Sequence, residues 1–306
     1  MEKENITTVT EFIILGFPEF PELTIPLFLL FLLSYLIILM GNLTIIALTC
    51  LDPHLHTPMY FFLCNLSFLD ISSTSVTLPK LLDILLRKVQ IISVSGCLTQ
   101  VYLFLSLASV EMFLLTVMAY DRYVAICHPL RYAVIMNQRL CVLMAAGTWI
   151  FGFLEILVYP FLVYYLSYCG SNEINHFFCD LSALLKLSCT GTSSIERVTY
   201  ILGVCVETPC FISILISYVY IISTILRIRS AEGRRKAFAT CSSHLTVVIL
   251  FYGTIFGLYV RPTSMQSVEQ SKGVALLYNV LIPMVNPMIY SLRNREVKGA
   301  LRKLFS

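Results

Sequence analysis

The chain has 306 residues, of which 58% are hydrophobic and only 13% are charged, and its formal net charge is +3. A soluble domain carries about 25% charged residues, and the mean hydropathy here is +0.82, so we expect lipid to surround most of the chain. The positive charges are few and dispersed, which argues against a nucleic-acid-binding protein. The composition therefore predicts a membrane protein.

Residues 1–24 are predicted to form an extracellular N-terminal segment. This segment carries several glutamates and a single lysine, which is the wrong charge for the start of a signal peptide. The apolar run that begins near Ile25 is too long for the core of a signal peptide and is predicted to be a permanent anchor. Asn5 opens the sequon Asn-Ile-Thr, which is glycosylated only where the N-terminus faces the lumen.

Seven apolar runs are long enough to cross a membrane, which takes about 20 residues. Only helices and closed barrels satisfy the backbone within lipid, and runs that do not alternate favour helices. The predicted spans are Ile25–Cys50, Met59–Leu86, Gly96–Ile126, Leu140–Tyr165, Arg197–Leu226, Ala237–Tyr259 and Gly273–Leu292. We therefore predict an all-α membrane protein with a seven-transmembrane helix bundle over residues 25–292.

The distribution of basic residues predicts the orientation of the bundle. Arginines and lysines are concentrated after the third, fifth and seventh predicted spans, which places these segments in the cytoplasm and the N-terminus outside. Arg87 and Lys88 weaken this bias because they fall on the outer side. Residues 293–306 are predicted to be cytoplasmic, and within them Asn294–Phe305 has one apolar face surrounded by basic residues. This pattern predicts a short amphipathic helix along the inner leaflet.

Two carboxylates within the predicted spans are candidates for an ion site. Asp70 lies in the second span and Glu111 in the third. Two such groups brought together would share a proton or bind a cation, and with Asn42 and Asn286 nearby they could form a sodium pocket. The alternative is a neutral, hydrogen-bonded polar core that fixes helix packing. No other metal and no organic cofactor is expected.

The later spans contain further glutamates and several prolines. We expect Glu155 and Glu207 to be protonated and hydrogen-bonded rather than to contact a ligand. Pro209, Pro283 and Pro287 each remove a backbone donor and bend or loosen their helices. A bend below a pocket predicts a hinge, and a static bend that packing requires is the alternative.

Four of the 11 cysteines fall on the predicted outer side, where disulfides can form. Four cysteines allow three pairings. These residues are Cys97, Cys169, Cys179 and Cys189. The others lie in the spans or at their inner ends, where a reduced, buried thiol is expected.

The segment MAYDRYVAICHPLRY, residues 118–132, joins the third predicted span to a basic stretch interrupted by proline. Its Asp121-Arg122 pair lies where the chain leaves the membrane, and an ion pair there is easily broken and re-formed, as a switch requires. The segment resembles the inner end of the third helix of rhodopsin-like G protein-coupled receptors. Its longer form resembles that of the olfactory receptors.

The resemblance to olfactory receptors extends along nearly the whole chain. Further matching strings are Gly41-Asn42, residues 55–63, residues 65–70, residues 236–245 and residues 283–294. Ala239 stands where the family usually has serine, and Val285 where it usually has leucine. The long outer loop favours the tetrapod-type, or class II, branch.

The resemblance implies roles for individual residues. It implies that Cys97 pairs with Cys179 and that Cys169 pairs with Cys189. It also implies that Arg122 is held by Asp121 at rest and is released to meet a G protein. The residues implied in this switch are Asp121, Arg122, Tyr123, Tyr218, His244, Asn286, Pro287 and Tyr290.

By the same resemblance, an odorant pocket lies among the outer halves of the third, fifth, sixth and seventh helices. Its expected lining is mainly apolar, with a few hydroxyls and one amide, which suits a small, neutral and mostly apolar ligand. The lining residues are Phe104, Ala108, Ser109, Met112, Gly203, Val206, Tyr252, Ile255, Phe256, Tyr259 and Asn279.

The resemblance thus implies an odorant receptor in the plasma membrane that activates a stimulatory, olfactory-type G protein and raises cyclic AMP. A receptor of the same fold for a non-odorant metabolite in another tissue is the alternative. A transporter or channel is disfavoured because such proteins usually show repeated halves, and no repeat is visible. No nucleophile elbow, phosphate-binding glycine loop or metal-spaced histidine cluster predicts an enzyme.

Overall fold

The computed structural model describes residues 9–17, 21–87, 90–168, 171–259, 268–293 and 297–300. Seven long helical segments follow one another in the order predicted. We call them the first to the seventh span. Their bounds are Thr24–Leu51, Pro58–Arg87, Val94–Cys127, Gln138–Ile156 continued by Val158–Tyr164, Ser193–Leu202 continued by Thr208–Arg227, Ala231–Tyr259, and Val268–Leu276 continued by Ile282–Arg293.

The fifth and seventh spans are each interrupted by one π-helical segment. These segments are Gly203–Glu207 and Leu277–Leu281. A π turn holds an extra residue, so it shifts the face on which the side chains around it point. The two segments therefore decide which residues of these spans face the interior.

The described helices confirm a multi-pass membrane protein with a seven-helix bundle. Six of them are long and apolar enough to cross a membrane, and the sixth span contains the apolar section Cys241–Phe256. The last three spans begin at Ser193, Ala231 and Val268, a few residues before the predicted starts. The reason is that backbone hydrogen bonding continues through a polar first turn, which the apolar run does not mark.

The third span lies at the centre of the bundle, where it packs against the second, fourth and fifth spans. Val110, Leu114 and Leu115 on this span are completely buried. The first span packs on the second and seventh spans and leaves residues such as Leu29 and Met40 exposed. In a membrane this exposed face meets lipid tails, which are as apolar as leucine.

A three-stranded sheet covers the outer ends of the spans. β1 (Glu11–Ile14) pairs antiparallel with β2 (Ile91–Ser93) and parallel with β3 (Glu173–Ile174). The disulfide between Cys97 and Cys179 ties the third span to the loop that contains β3. The sequence reading treated residues 1–24 only as an extracellular segment and missed β1, because a strand of four residues leaves too short a pattern.

The side chain of Gln100 fixes the position of this outer loop. Its Oε1 accepts a hydrogen bond from the backbone N–H of Cys179 at 2.9 Å, and its Nε2 donates to the Val76 carbonyl at 2.8 Å. One buried amide therefore joins the second span, the third span and the loop.

Three of the predicted features fall wholly or partly outside the described residues. Asn5 and Cys169 lie outside them, although Cys189, the partner implied for Cys169, is disulfide-bonded. Of the predicted amphipathic helix, residues 297–300 are described. They are helical, and Val297 and Ala300 are buried. The full length of that helix stays a prediction.

His176 follows β3 in the outer loop and has only 1% of its surface exposed. The rings of Phe177 and Phe178 contact it, each with centroids 4.7 Å away. The pKa of His176 is lowered from 6.5 to about 4, mainly by burial. Lys272 and Lys186 contribute in the same direction, and Asp180 acts in the opposite direction. The imidazole is therefore neutral at pH 7.

Gly152 allows the fourth span to approach the third closely. A Cβ atom added at Gly152 would lie 2.5 Å from Val110 Cγ2 and 2.8 Å from the Val110 backbone nitrogen. We expect Gly152→Ala to destabilise the protein by about 1–3 kcal/mol because the backbone must shift. Gly147→Ala is the matched control, since an added Cβ there meets no atom within 4 Å. Thermal unfolding of the purified protein measures both, and equal melting temperatures would contradict the close approach.

The pKa of His176 predicts how stability depends on pH. The unfolded chain takes up a proton near pH 6.5 and the folded chain only near pH 4, so protons favour unfolding. Stability should therefore be full above pH 6.5 and should fall by about 3 kcal/mol as the pH drops through this window. His176→Phe keeps the ring and removes the titration. A melting temperature with the same pH slope in this variant would show that another group is responsible.

Candidate functional site

The Asp121-Arg122 pair is closed and buried at the inner end of the third span. Arg122 Nε donates to Asp121 Oδ2 at 2.9 Å, and a second guanidinium nitrogen contacts the same oxygen. The other carboxylate oxygen, Oδ1, accepts from the Tyr132 hydroxyl at 2.8 Å. A buried charge is tolerated only when it is paired and hydrogen-bonded, so both members depend on this arrangement.

Tyr132 is a partner of the pair that sequence reasoning missed. It begins the short helix Tyr132–Ile135 after the third span. Because the chain turns back there, the Tyr132 hydroxyl lies next to Asp121. Burial and the nearby Asp121 carboxylate raise the pKa of Tyr132, which keeps its hydroxyl a hydrogen-bond donor. The residue lies within the segment 118–132, but nothing in its spacing indicated contact with Asp121.

Tyr218 and His244 form a second contact at the inner end. The Tyr218 hydroxyl lies 2.6 Å from His244 Nδ1, and His244 Nε2 lies 3.2 Å from the Leu115 carbonyl. A carbonyl only accepts, so Nε2 carries the hydrogen and Nδ1 accepts from the tyrosine. The two rings thus link the fifth and sixth spans to the backbone of the third.

The predicted switch residues of the seventh span are deeply buried. Asn286 Nδ2 donates to both oxygens of Asp70, at 3.0 and 3.2 Å. Tyr290 is buried, and its hydroxyl has no hydrogen-bond partner among the described residues. A Cβ at Gly41 would lie 3.1 Å from Pro287 Cγ, so the first span meets the seventh at this proline.

Tyr123 lies apart from the other switch residues. Its hydroxyl is 3.2 Å from His128 Nε2, and its ring faces Tyr220 with centroids 5.9 Å apart. It therefore contacts the inner loop and the fifth span rather than the Asp121-Arg122 pair.

Asp70 and Glu111 are both buried in the centre of the bundle and lie within electrostatic range of each other. Glu111 Oε2 accepts from the Tyr278 hydroxyl at 2.9 Å. The buried oxygens without a hydrogen-bond partner in the described part of the chain include Asn42 Oδ1, Ser73 Oγ, Glu111 Oε1 and Asn286 Oδ1. Carboxylate, amide and hydroxyl oxygens suit a hard cation.

The donor set restricts which metal could bind there. In the described residues, no group of three or more His, Cys, Asp or Glu side chains is placed to hold a metal ion. Two carboxylates with neutral oxygens match a singly charged cation better than a transition metal.

On the third span, the predicted pocket residues are Phe104, Ala108, Ser109 and Met112. Phe104 is buried against Phe178 of the outer loop, at 4.9 Å between ring centroids, and against Tyr278, at 5.6 Å. Met112 is buried and Ala108 is half-buried. The loop residue Phe178 thus covers the predicted pocket from the outside, which the sequence did not show.

The predicted residues of the fifth and sixth spans divide between the interior and the surface. Tyr252 is buried with its ring 4.8 Å from Phe211, and Val206 and Ile255 are half-buried. Phe256 is 46% exposed, so much of its ring faces away from the interior. The side chain of Tyr259 lies outside the described part of the structure, and Gly203 starts the π-helical segment of the fifth span.

Asn279 faces the second span. Its Nδ2 donates to the Ala275 carbonyl at 3.0 Å, and its Oδ1 accepts from Thr77 at 3.3 Å. Tyr278 instead points toward Phe104 and Glu111. Both residues lie in the π-helical segment Leu277–Leu281. Because a π turn holds an extra residue, the spacing of an ordinary α-helix does not predict which way these two side chains point.

Comparison with known proteins shows the family to which this chain belongs. Residues 31–306 match the family model described as olfactory receptor. The chain is 54% identical to mouse olfactory receptor 1J21 and 51% identical to human olfactory receptor 1J2, in each case over 100% of this chain and 98% of the relative. It is 48% identical to mouse olfactory receptor 5AR1 over 99% of this chain and 98% of that receptor. The chain belongs to the olfactory receptor family, whose members are multi-pass G protein-coupled receptors and not enzymes.

Proposed function

We propose that this receptor binds a small volatile ligand in the outer half of its bundle and activates a stimulatory, olfactory-type G protein at its inner face. The observation that carries the proposal is the buried Asp121-Arg122-Tyr132 contact, which lies at the inner end of the same span as the pocket residues Phe104 and Met112. One helix thereby connects both candidate sites.

The ligand acts by binding one arrangement of the helices more tightly than the other. A ligand shifts an equilibrium only by its differential affinity for the two states. Movement of the sixth span breaks the His244 contacts with Tyr218 and the Leu115 carbonyl. Arg122 then leaves Asp121, and the opened groove accepts a helix of the G protein α-subunit. Tyr290, whose buried hydroxyl has no partner in the described residues, is free to join the rearranged contacts.

The topology proposed for the receptor places its N-terminus outside the plasma membrane. Residues 1–24 are extracellular, residues 25–292 form the receptor domain, and residues 293–306 form the cytoplasmic amphipathic helix and C-terminus. The sheet built on β1 and the disulfide between Cys97 and Cys179 support this orientation, because disulfides form in oxidising compartments. Raised cyclic AMP is the proposed downstream signal.

We also propose that Asp70 and Glu111 hold a sodium ion in the resting receptor. The supporting observations are their burial, their proximity and the unpartnered oxygens of Ser73 and Asn286. A cation between the second, third and seventh spans would hold them together and would favour the closed arrangement.

The proposed function is tested by measuring cyclic AMP in cells that co-express the receptor and the G protein, against a panel of neutral volatiles. Arg122→Ala should abolish the response, and Asp121→Asn should raise the basal signal several-fold because the arginine loses its charged partner. Tyr132→Phe should raise the basal signal less, since it removes one hydrogen bond of about 1 kcal/mol. A full response from Arg122→Ala at equal surface expression would refute the switch.

The sodium site is tested with purified receptor in sodium chloride and in choline chloride at equal ionic strength. Sodium should raise the melting temperature of the wild type by a few degrees, because it binds only the folded state. Glu111→Gln keeps the shape of the side chain and should remove the difference. An identical melting temperature of the wild type in both salts would rule the site out.

A further inference from the structure

The segment 9–17 is built into the outer end of the bundle. Its strand β1 is the central strand of the sheet, because it pairs with β2 on one side and with β3 on the other. Phe12 and Ile14 on this strand are completely buried. The segment therefore joins the start of the third span to the outer loop.

Gly16 turns the chain from β1 towards the first span. Its backbone φ is +68°, a region that glycine adopts without strain, and its N–H donates to the His176 carbonyl at 3.0 Å. Phe17 follows directly. Its ring lies nearly parallel to the rings of Phe31 in the first span and Phe177 in the outer loop, with 5.8 Å between centroids in each pair. Phe17 is thus stacked between the bundle and the loop.

A continuous series of aromatic contacts leads from Phe17 to the proposed pocket. Phe177 contacts Phe178 at 5.0 Å between ring centroids, and Phe178 contacts Phe104 of the third span at 4.9 Å. On the side of the seventh span, Lys272 Nζ lies over the ring of Phe17, 5.7 Å from its centroid. The segment 9–17 therefore supports the two loop phenylalanines that cover the pocket.

The two sides of this cover are held in different ways. Phe177 and Phe178 are completely buried, so the cover is closed to solvent at these residues. The loop next to Phe178 is tied covalently to the third span by the disulfide between Cys97 and Cys179. The segment 9–17 contains no cysteine, and hydrogen bonds and packing alone hold its short strand. Such a segment opens locally at a lower cost than the elements of a core, so it is the part of the cover that moves most easily.

We propose that the segment 9–17 is a lid that controls the entry of small molecules into the pocket. When Phe17 leaves the space between Phe31 and Phe177, the loop phenylalanines lose the contact that holds them over Phe104, and a molecule passes. When Phe17 returns, β1 pairs again with both neighbours and encloses the molecule. The inference rests on the proposed function as a ligand-activated receptor, and it adds how access to the ligand site is regulated.

The test measures access to the pocket in the full-length purified receptor that carries Ala108→Cys. Ala108 lies on the third span and is half-buried, so this substitution adds a single sulfur atom to the predicted lining. The probe is methyl methanethiosulfonate, a small neutral reagent that modifies accessible thiols. Peptide mass spectrometry reports the rate of modification at each cysteine separately. Cys205 is exposed on the fifth span, and its rate serves as the internal reference.

Opening the lid should speed modification at position 108. Phe17→Ala removes the ring that is stacked between Phe31 and Phe177, and it should raise the rate about three- to tenfold, as the loss of aromatic contacts of this kind implies. Phe161→Ala is the matched control. Phe161 is 63% exposed on the fourth span, and its removal should leave the rate unchanged.

Locking the lid should have the opposite effect. Ile13 lies directly opposite Ile91 in the antiparallel pair of β1 and β2. The Cα atoms of such a pair are about 4.5–5.5 Å apart, which a disulfide spans, so Ile13→Cys combined with Ile91→Cys links the strands on the outer side. The rate at position 108 should fall roughly tenfold or more, because a linked strand does not detach. Ile13→Ser combined with Ile91→Ser is the control without the bond.

Equal rates at position 108 with the native, opened and locked lid would overturn the inference, and so would the absence of modification in all three. A lower melting temperature of Phe17→Ala with unchanged access would assign the segment a structural role only. If volatiles raise cyclic AMP while access does not depend on the lid, the lid is wrong and the proposed function stands. If the lid controls access but no volatile raises cyclic AMP, the lid stands and the signalling proposal fails.

Discussion

Within the membrane, polar groups must find partners inside the protein, and the arrangement of this bundle depends on that constraint. Lipid offers no hydrogen bonds, so an unpaired polar group there costs several kcal/mol. The amide nitrogen of Asn42 meets this requirement by donating to the Ile38 carbonyl at 3.0 Å and to the Pro283 carbonyl at 3.1 Å. The second of these bonds uses a carbonyl of the seventh span. The hydrogen bonding of one side chain therefore also fixes a contact between distant parts of the chain.

The same requirement joins the fourth span to the second and the outer loop to the third. Trp149 Nε1 donates to Asn65 Oδ1 at 3.2 Å, and Gln100 uses both ends of its amide between Val76 and Cys179. Apolar packing alone is weakly directional among helices in lipid. These few polar contacts therefore fix how the second and fourth spans, and the third span and the outer loop, are aligned with each other.

The third span connects every site described above. It carries Cys97 at the outer loop, Phe104 in the proposed pocket, Glu111 at the proposed ion site, and Asp121 at the inner face. The Leu115 carbonyl, between the ion site and the inner face, holds His244 of the sixth span. Because this span packs against the second, fourth, fifth and sixth spans, a small shift at its outer half would change the contacts at its inner end. In the proposed function this is how a bound ligand is coupled to the G protein, because contacts with two alternative arrangements amplify a small shift.

The sequence by itself determined the seven helices, the switch motif and the family, because long apolar runs and contiguous motifs are local properties of the chain. It also located Asp70 and Glu111, since a carboxylate within an apolar run is conspicuous. Only the tertiary structure decided which faces meet. The π-helical segment Leu277–Leu281 turned Tyr278 inward and Asn279 toward the second span, and the short helix after the third span brought Tyr132 back to Asp121. The stacking of Phe17 between Phe31 and Phe177 was equally hidden, because it joins three separate parts of the chain, and helical spacing describes one helix at a time.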